Sequence, residues 1–263
     1  MPRFAANLSM LFTEVPLLGR FERAARAGFT AVEMQFPYEA SVADLRARLQ
    51  SNRLTMVLHN LPRGDFAGGE RGYACHPGRE ADFRASVARA IEYARALGVP
   101  QLNCLSGVAP PGIDDEALRA TFVANLRYAA AALEREGIKL LVEPINNVDA
   151  PGFWLNRTDK AIAVLDEVGS DNLYLQYDVY HAQRFEGELA ATLARHLKRI
   201  AHVQVADNPG RHEPGTGEIN YPFVFAHLER IGYKGYIGCE YTPAASTEAG
   251  LGWLEQARRQ LHA

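Results

Sequence analysis

Short apolar segments alternate along this chain with stretches in which apolar residues recur at helical spacing. Eight apolar segments can be marked, and they start near Phe4, Ala31, Leu54, Gln101, Lys139, Leu173, Ile200 and Gly235. The stretches with helical periodicity between and after them include 16–27, 79–97, 114–136, 158–168, 188–199, 221–231 and 246–261. Apolar runs separated by helices are typical of parallel strands that are buried on both faces. The pattern therefore predicts eight consecutive βα units.

Eight such units in 263 residues favour a closed (β/α)8 TIM barrel, because that fold typically needs about 250 residues. An open doubly wound sheet is the alternative, but no glycine-rich dinucleotide fingerprint follows the first strand. No linker, low-complexity tract or shift in composition divides the sequence. We therefore predict a single barrel domain over residues 1–263.

Composition excludes several classes of function. The charged residues give 28 minus 31, a net charge of −3, which provides no general attraction to nucleic acid or anionic lipid. No apolar run reaches the roughly 18 residues of a membrane span, and the N-terminus lacks the apolar run of a signal peptide. Three widely separated cysteines indicate a reducing compartment, so we predict a cytoplasmic protein. The sequence leaves a homo-oligomer open.

Four polar residues stand near the ends of the last four apolar segments: Glu143, Asp178, Gln204 and Glu240. Their separations of 35, 26 and 36 residues are about one βα unit each. The carboxyl ends of parallel strands meet at one rim, so these side chains should converge. Three carboxylates and one amide oxygen suit Mg²⁺, or Mn²⁺ as the alternative, better than Zn²⁺. Each residue alone would equally well be a cap or a salt-bridge partner.

Other candidates would bind substrate. His59 ends the third segment and His181 follows Asp178 by three residues, so both are expected at strand exits. Arg211 could hold a substrate carboxylate through two hydrogen bonds. The glycine-rich loop 61–78, which carries Arg71 and Tyr73, follows the third strand and is predicted to cover the catalytic face as a lid.

Several phrases together resemble the hydroxypyruvate isomerase family of xylose-isomerase-like barrels: FAANLSMLF, AVEMQFPY, HNLPRGD, GGERG, LLVEPIN, YDVYH, HVQVADNPGRHEPGTGEINY and GYIGCEY. The resemblance runs from about residue 3 to about residue 260. It implies a divalent metal bound by Glu143, Asp178, Gln204 and Glu240, with Glu143 and Glu240 also acting as the acid/base pair. Many epimerase relatives have histidine where this chain has Gln204, which favours the isomerase branch.

The resemblance implies an isomerase that interconverts hydroxypyruvate and tartronate semialdehyde through an enediolate stabilised by the metal. The alternative is isomerisation of 2-oxotetronate to 3-oxotetronate, the same proton shift on a substrate with one more carbon. Arg71, Tyr73 and the pocket walls are expected to decide between the two acids. A ketose 3-epimerase, a non-catalytic sugar-acid-binding barrel and an endonuclease are less favoured.

Overall fold

Eight parallel strands form a closed barrel in the computed structural model, which describes residues 3–260. Each strand pairs with the next along the chain, and the first pairs with the last. The strands are β1 (Arg3–Asn7), β2 (Ala31–Met34), β3 (Thr55–Asn60), β4 (Gln101–Cys104), β5 (Lys139–Val142), β6 (Leu173–Asp178), β7 (Ile200–Val205) and β8 (Tyr236–Cys239). The predicted strand starts agree with these to within one residue, and the predicted barrel is confirmed.

Helices surround the barrel and cover the outer face of its strands. They are α1 (Leu17–Arg26), α2 (Val42–Ser51), α3 (Glu80–Leu97), α4 (Asp115–Glu134), α5 (Thr158–Val168), α6 (Val179–Phe185), α7 (Leu189–His196), α8 (Tyr221–Arg230) and α9 (Gly252–Gln260). The helix predicted over 246–261 is divided: a 3-10 turn occupies Glu248–Gly250, α9 follows, and residue 261 lies outside the described residues. Of residues 3–260, no helix is long and apolar enough to cross a membrane.

The helix α6 was not marked in the sequence, and it matters for the site. It begins directly after Asp178, whose side-chain oxygen accepts a hydrogen bond from the Tyr180 backbone N–H at 2.8 Å. An oxygen in this position satisfies one of the unpaired N–H groups at a helix start. The cap therefore fixes Asp178 and orients the first turn of α6, which carries His181.

Two cores hold the barrel together. The larger one lies between the strands and the surrounding helices, and its largest buried side chains include Phe21, Phe83 and Phe122. The smaller one lies inside the barrel and consists of Ala5, Ala31, Val57, Leu58 and Leu141. The barrel interior also contains fully buried polar side chains from β2, β6 and β7. The interior is thus apolar in one part and hydrogen-bonded in another.

Candidate active site

A cavity of about 240 Å³ opens at the carboxyl ends of the strands. Glu143, His181, Arg211 and Glu240 line it from the barrel, and Arg63, Phe66 and Arg71 line it from the loop after β3. The loop therefore covers the face on which the sequence predicted it. Tyr73, expected to help select the substrate, is not among the lining residues: its side chain is buried and its ring lies 4.7 Å from the Arg79 guanidinium.

Glu143 and Asp178 meet beside His181. Glu143 directly follows β5, and its Oε2 accepts a hydrogen bond from Asn103 Nδ2 at 2.8 Å. The His181 Nε2 lies 3.6 Å from Asp178 Oδ2 and 4.0 Å from Glu143 Oε1. Asp178 Oδ2 is buried and accepts no hydrogen bond. A buried carboxylate oxygen in this state calls for a cation or a proton.

Glu240 lies next to this group and pairs with Arg211. The Arg211 guanidinium is 2.7 Å from Glu240 Oε2 and 3.7 Å from Asp178 Oδ2, so it bridges two carboxylates. The other oxygen of Glu240 accepts hydrogen bonds from Asn7 Nδ2 at 3.1 Å and Gln35 Nε2 at 2.9 Å. Neither amide was marked in the sequence as part of the site.

Burial makes these carboxylates hard to ionise together. It raises the pKa of Glu240 to about 7, although Arg211 opposes the rise. It also raises the pKa of Glu143 well above its usual value, and the neighbouring Glu240 and Asp178 add to the effect. Like charges in a dry site disfavour one another, so a cation between them would restore the ionised forms.

Glu143, Asp178 and His181 form a group that could hold a divalent metal, since their ligand atoms all lie within 4.8 Å of one another. The two carboxylates fit this role, because Asp178 Oδ2 accepts no hydrogen bond and Glu143 Oε1 lies on the same side of the His181 ring. The histidine fits less directly. Its Nδ1 lies 2.6 Å from Asn146 Nδ2, and Asn146 Oδ1 is held by the backbone N–H groups of 148 and 149. The ring therefore accepts at Nδ1 and carries its proton on Nε2, which points at the carboxylates.

Gln204 lies inside the barrel rather than at the cavity wall. Its Nε2 donates to Glu33 Oε1 at 2.8 Å, and its Oε1 accepts from Gln176 Nε2 at 2.7 Å. To reach a metal, this oxygen would have to leave Gln176. The predicted ligand set and the group that the structure brings together thus share Glu143 and Asp178 and differ in the remaining members.

His59 needs a correction. It is fully buried and is not among the residues that line the cavity. Its Nδ1 lies 3.1 Å from the Asn60 carbonyl oxygen and 3.2 Å from the Tyr38 hydroxyl, so the ring packs outside the barrel wall. The next residue, Asn60, lines the cavity instead. Adjacent residues of a strand point to opposite faces, and His59 occupies the outward position.

The lid contributes Phe66 and a second arginine, Arg63, and the loop after β2 contributes Phe36; none of the three was singled out in the sequence. The Arg63 guanidinium lies 4.2 Å from the Phe36 ring and 3.5 Å from the Phe66 ring, and Arg71 lies 3.9 Å from the Phe66 ring. Neither guanidinium has a carboxylate within 4.0 Å among residues 3–260. Two cations at the cavity mouth are therefore available to an anionic group of a substrate.

The fold and the cavity define a TIM-barrel protein with a buried acidic site at the carboxyl ends of its strands, a position typical of enzymes with this fold. The chain belongs to the xylose isomerase-like TIM barrel family, whose model matches residues 21–257. The family resemblance drawn from the sequence phrases is confirmed.

Two curated proteins and one crystal structure are similar to this chain over nearly its whole length. A protein of Escherichia coli (strain K12) named hydroxypyruvate isomerase is 55% identical over 98% of this chain and 100% of its own length. A protein of Cupriavidus necator named 2-oxo-tetronate isomerase is 51% identical over 97% of this chain and 98% of its own. A crystal structure described as AP endonuclease, family 2, from Brucella melitensis has a TM-score of 0.95 and 45% identity, covering 97% of this chain and 99% of that one.

Proposed function

We propose that this protein is an isomerase that interconverts hydroxypyruvate and tartronate semialdehyde. The observation that carries the proposal is the pair of buried glutamates, Glu143 and Glu240, that face one small cavity at the carboxyl ends of β5 and β8. The identity of 55% to a protein named hydroxypyruvate isomerase supports it. Isomerisation of 2-oxotetronate to 3-oxotetronate is the second candidate, favoured by the relative named 2-oxo-tetronate isomerase at 51% identity.

The reaction moves a proton between adjacent carbons. A base removes a proton from the hydroxymethyl carbon of hydroxypyruvate, and the electron pair forms the carbon–carbon double bond of an enediolate. A proton then adds to the neighbouring carbon. The proton of the original hydroxyl passes to the former carbonyl oxygen, so that the original hydroxyl oxygen becomes the aldehyde oxygen and the former carbonyl becomes the hydroxyl of the product. We assign the two proton transfers at carbon, the removal and the addition, to Glu143 and Glu240. Without a cation, burial raises the pKa of Glu240 to about 7; a bound cation would favour the ionised carboxylate that a base requires.

Neighbouring side chains would hold the substrate oxygens. Asn146 keeps the His181 ring in the form that donates from Nε2, so His181 can donate to a substrate hydroxyl or carbonyl. The Arg211 guanidinium is positioned by Glu240 at the same wall. Arg71 and Arg63 lie across the cavity on the lid and are suited to binding the substrate carboxylate.

The same cavity would hold a divalent metal, most favourably Mg²⁺, with Mn²⁺ as the alternative. Glu143, Asp178 and Glu240 are the proposed carboxylate ligands. Gln204 is the proposed amide ligand, and its Oε1 would have to give up the hydrogen bond from Gln176. When bound, the ion would stabilise the negative charge that develops on the substrate oxygens. Hard oxygen donors, and the Asp178 Oδ2 atom that accepts no hydrogen bond, support this choice.

Two experiments test the proposal. Turnover of hydroxypyruvate and of 2-oxotetronate is measured with and without a chelator, and the preferred acid defines the substrate. Exchange of carbon-bound substrate hydrogen with solvent deuterium is then followed by NMR in Glu143→Gln and Glu240→Gln. We expect exchange to be abolished in both. Glu186→Gln is the control, because that carboxylate accepts from Thr158 at the edge of the fold and lies outside the cavity.

Wild-type exchange rates in either cavity variant would refute the assigned roles. Cleavage of abasic-site DNA is assayed in parallel, because one structural relative is described as an AP endonuclease. The net charge of −3 gives no support to DNA binding, and we expect no cleavage. A single domain, a cytoplasmic location and the oligomeric state stay predictions.

A further inference from the structure

A carboxylate lies fully buried inside the barrel, below the cavity. It belongs to Glu33 on β2, whose exposed fraction is 0%. Its oxygens accept hydrogen bonds from Asn7 Nδ2 at 2.9 Å, Gln204 Nε2 at 2.8 Å and His202 Nε2 at 2.7 Å. The other ring nitrogen of His202 lies 3.3 Å from an amide donor, Gln101 Nε2, so the ring carries its proton on Nε2. Glu33 is therefore surrounded by donors.

Asn7 connects this carboxylate to the cavity. Its Nδ2 lies 2.9 Å from Glu33 Oε1 and 3.1 Å from Glu240 Oε1. An amide nitrogen has two hydrogens, so one is directed to each carboxylate. The Asn7 Oδ1 accepts from the Ser9 backbone N–H at 3.0 Å, which fixes the amide orientation. The Asn7 amide therefore fixes the position of Glu240 Oε1 relative to the Glu33 carboxylate.

A second contact links Glu33 to the strand that carries Glu240. A Cβ at Gly238 would lie 2.3 Å from Glu33 Oε2, so only glycine leaves room for the carboxylate there. Gly238 is on β8, two residues before Glu240. Glu33 therefore packs directly on the backbone that leads to Glu240, while Asn7 holds the end of its side chain.

We propose that Glu33 is a positioning residue for Glu240, and that it acts through Asn7 and Gly238 to hold the carboxylate in the orientation needed for proton transfer. The inference rests on the proposed role of Glu240 in moving the substrate proton. A general base must lie within hydrogen-bond reach of the proton that it removes, and a displacement of about 1 Å can lower the rate by about 100-fold.

The kinetic test compares Glu33→Leu, Glu33→Gln and Asn7→Ala. We expect Glu33→Leu to lower kcat by about 100-fold and to leave KM within about twofold, because substrate-binding groups are untouched. Glu33→Gln keeps an oxygen that can accept a hydrogen bond from Asn7, so its kcat should be at least about tenfold higher than that of Glu33→Leu. Glu186→Leu is the control, since it removes a half-buried acceptor outside the cavity and should lower stability without lowering kcat.

Non-additivity separates positioning from general loss of structure. If Glu33 acts through Asn7, adding Glu33→Leu to Asn7→Ala should lower kcat by no more than about threefold further. Multiplication of the two losses, or a folded Glu33→Leu variant with wild-type kcat, would overturn the proposal.

A structural measurement does not depend on turnover. Crystal structures of Glu33→Leu and Gly238→Ala should show Glu240 Oε1 and Asn7 Nδ2 separated beyond hydrogen-bond distance. Gly238→Ala displaces the Glu33 carboxylate without removing it, so it serves where Glu33→Leu fails to fold. Retention of the 3.1 Å contact in the variant would reject the positioning role. A wild-type protein that turns over neither acid would instead reject the proposed function alone.

Discussion

The buried His59 ring makes the stability of the protein depend on pH in a way that can be calculated. Burial lowers the pKa of His59 from 6.5 to about 4, and the hydrogen bond to the Asn60 carbonyl opposes this only partly. The unfolded chain, in which the pKa is the ordinary one, therefore binds a proton at a higher pH than the folded protein. The free energy of unfolding should fall as the pH decreases from 6.5 toward 4.

The size of the effect follows from the pKa difference. The full contribution is about 3 kcal/mol, at about 1.4 kcal/mol for each pKa unit, and is complete only below the folded-state pKa. Between about pH 7 and about pH 5, the titration of His59 should lower the free energy of unfolding by about 2 kcal/mol. Substitution by glutamine removes the titrating ring, so His59→Gln should lose about 2 kcal/mol less than the wild type over this interval.

Denaturant unfolding at the two pH values provides the measurement, and only the difference between wild type and variant is used, because other groups titrate in both proteins. Tyr38→Phe is the matched control, since it removes a neighbouring hydroxyl and leaves the His59 ring in place. It should show the wild-type pH dependence. Equal pH dependence in wild type and His59→Gln would refute the argument. The turnover of His59→Gln should stay near wild type, because the ring is not among the cavity-lining residues.

Four further outcomes are expected. Burial raises the pKa of the Cys75 thiol to about 12, so a thiol reagent should label it only when the protein is unfolded. Phe122→Ala should lower the free energy of unfolding by about 3–5 kcal/mol in a denaturant titration, because the ring is fully buried. Arg63→Met should raise KM for the substrate acid by about tenfold with a smaller change in kcat, if its guanidinium binds the carboxylate. Asp178→Asn should weaken Mn²⁺ binding, measured by calorimetry, by about tenfold or more. The substitution removes the negative charge of a carboxylate whose Oδ2 accepts no hydrogen bond in the protein.

The sequence located the carboxylates of the site because their positions depend only on strand ends. In a parallel barrel every strand exit reaches the same rim, so Glu143, Asp178 and Glu240 could be grouped without knowing any side-chain conformation. The lid over the cavity was predicted on the same basis. These predictions need the order and direction of the strands, and the alternation of apolar runs and helices supplies both.

What the sequence does not reveal is the face of a strand to which a residue points and the direction of an amide. His59 and Asn60 are neighbours, and a shift in strand register near Glu33 decides which of them faces the cavity. A shift of one residue exchanges the two faces of a strand, and nothing in the local sequence reveals it. Whether Gln204 directs its oxygen to a metal or to Gln176 depends on a side-chain rotation, which sequence spacing does not constrain.

Glu33 had a signal that could have been used: it is a lone charged residue in the apolar strand AVEM. A fully buried carboxylate is unfavourable unless donors surround it, and replacement of such networks by apolar side chains is often neutral or stabilising. Stability alone therefore gives little reason for a barrel to contain one. The contacts from Glu33 through Asn7 to Glu240 supply a reason that concerns the reaction, because the donors that make its burial tolerable also fix a carboxylate at the cavity wall. A charged residue inside an otherwise apolar barrel strand is, by this argument, a sign of the site above it.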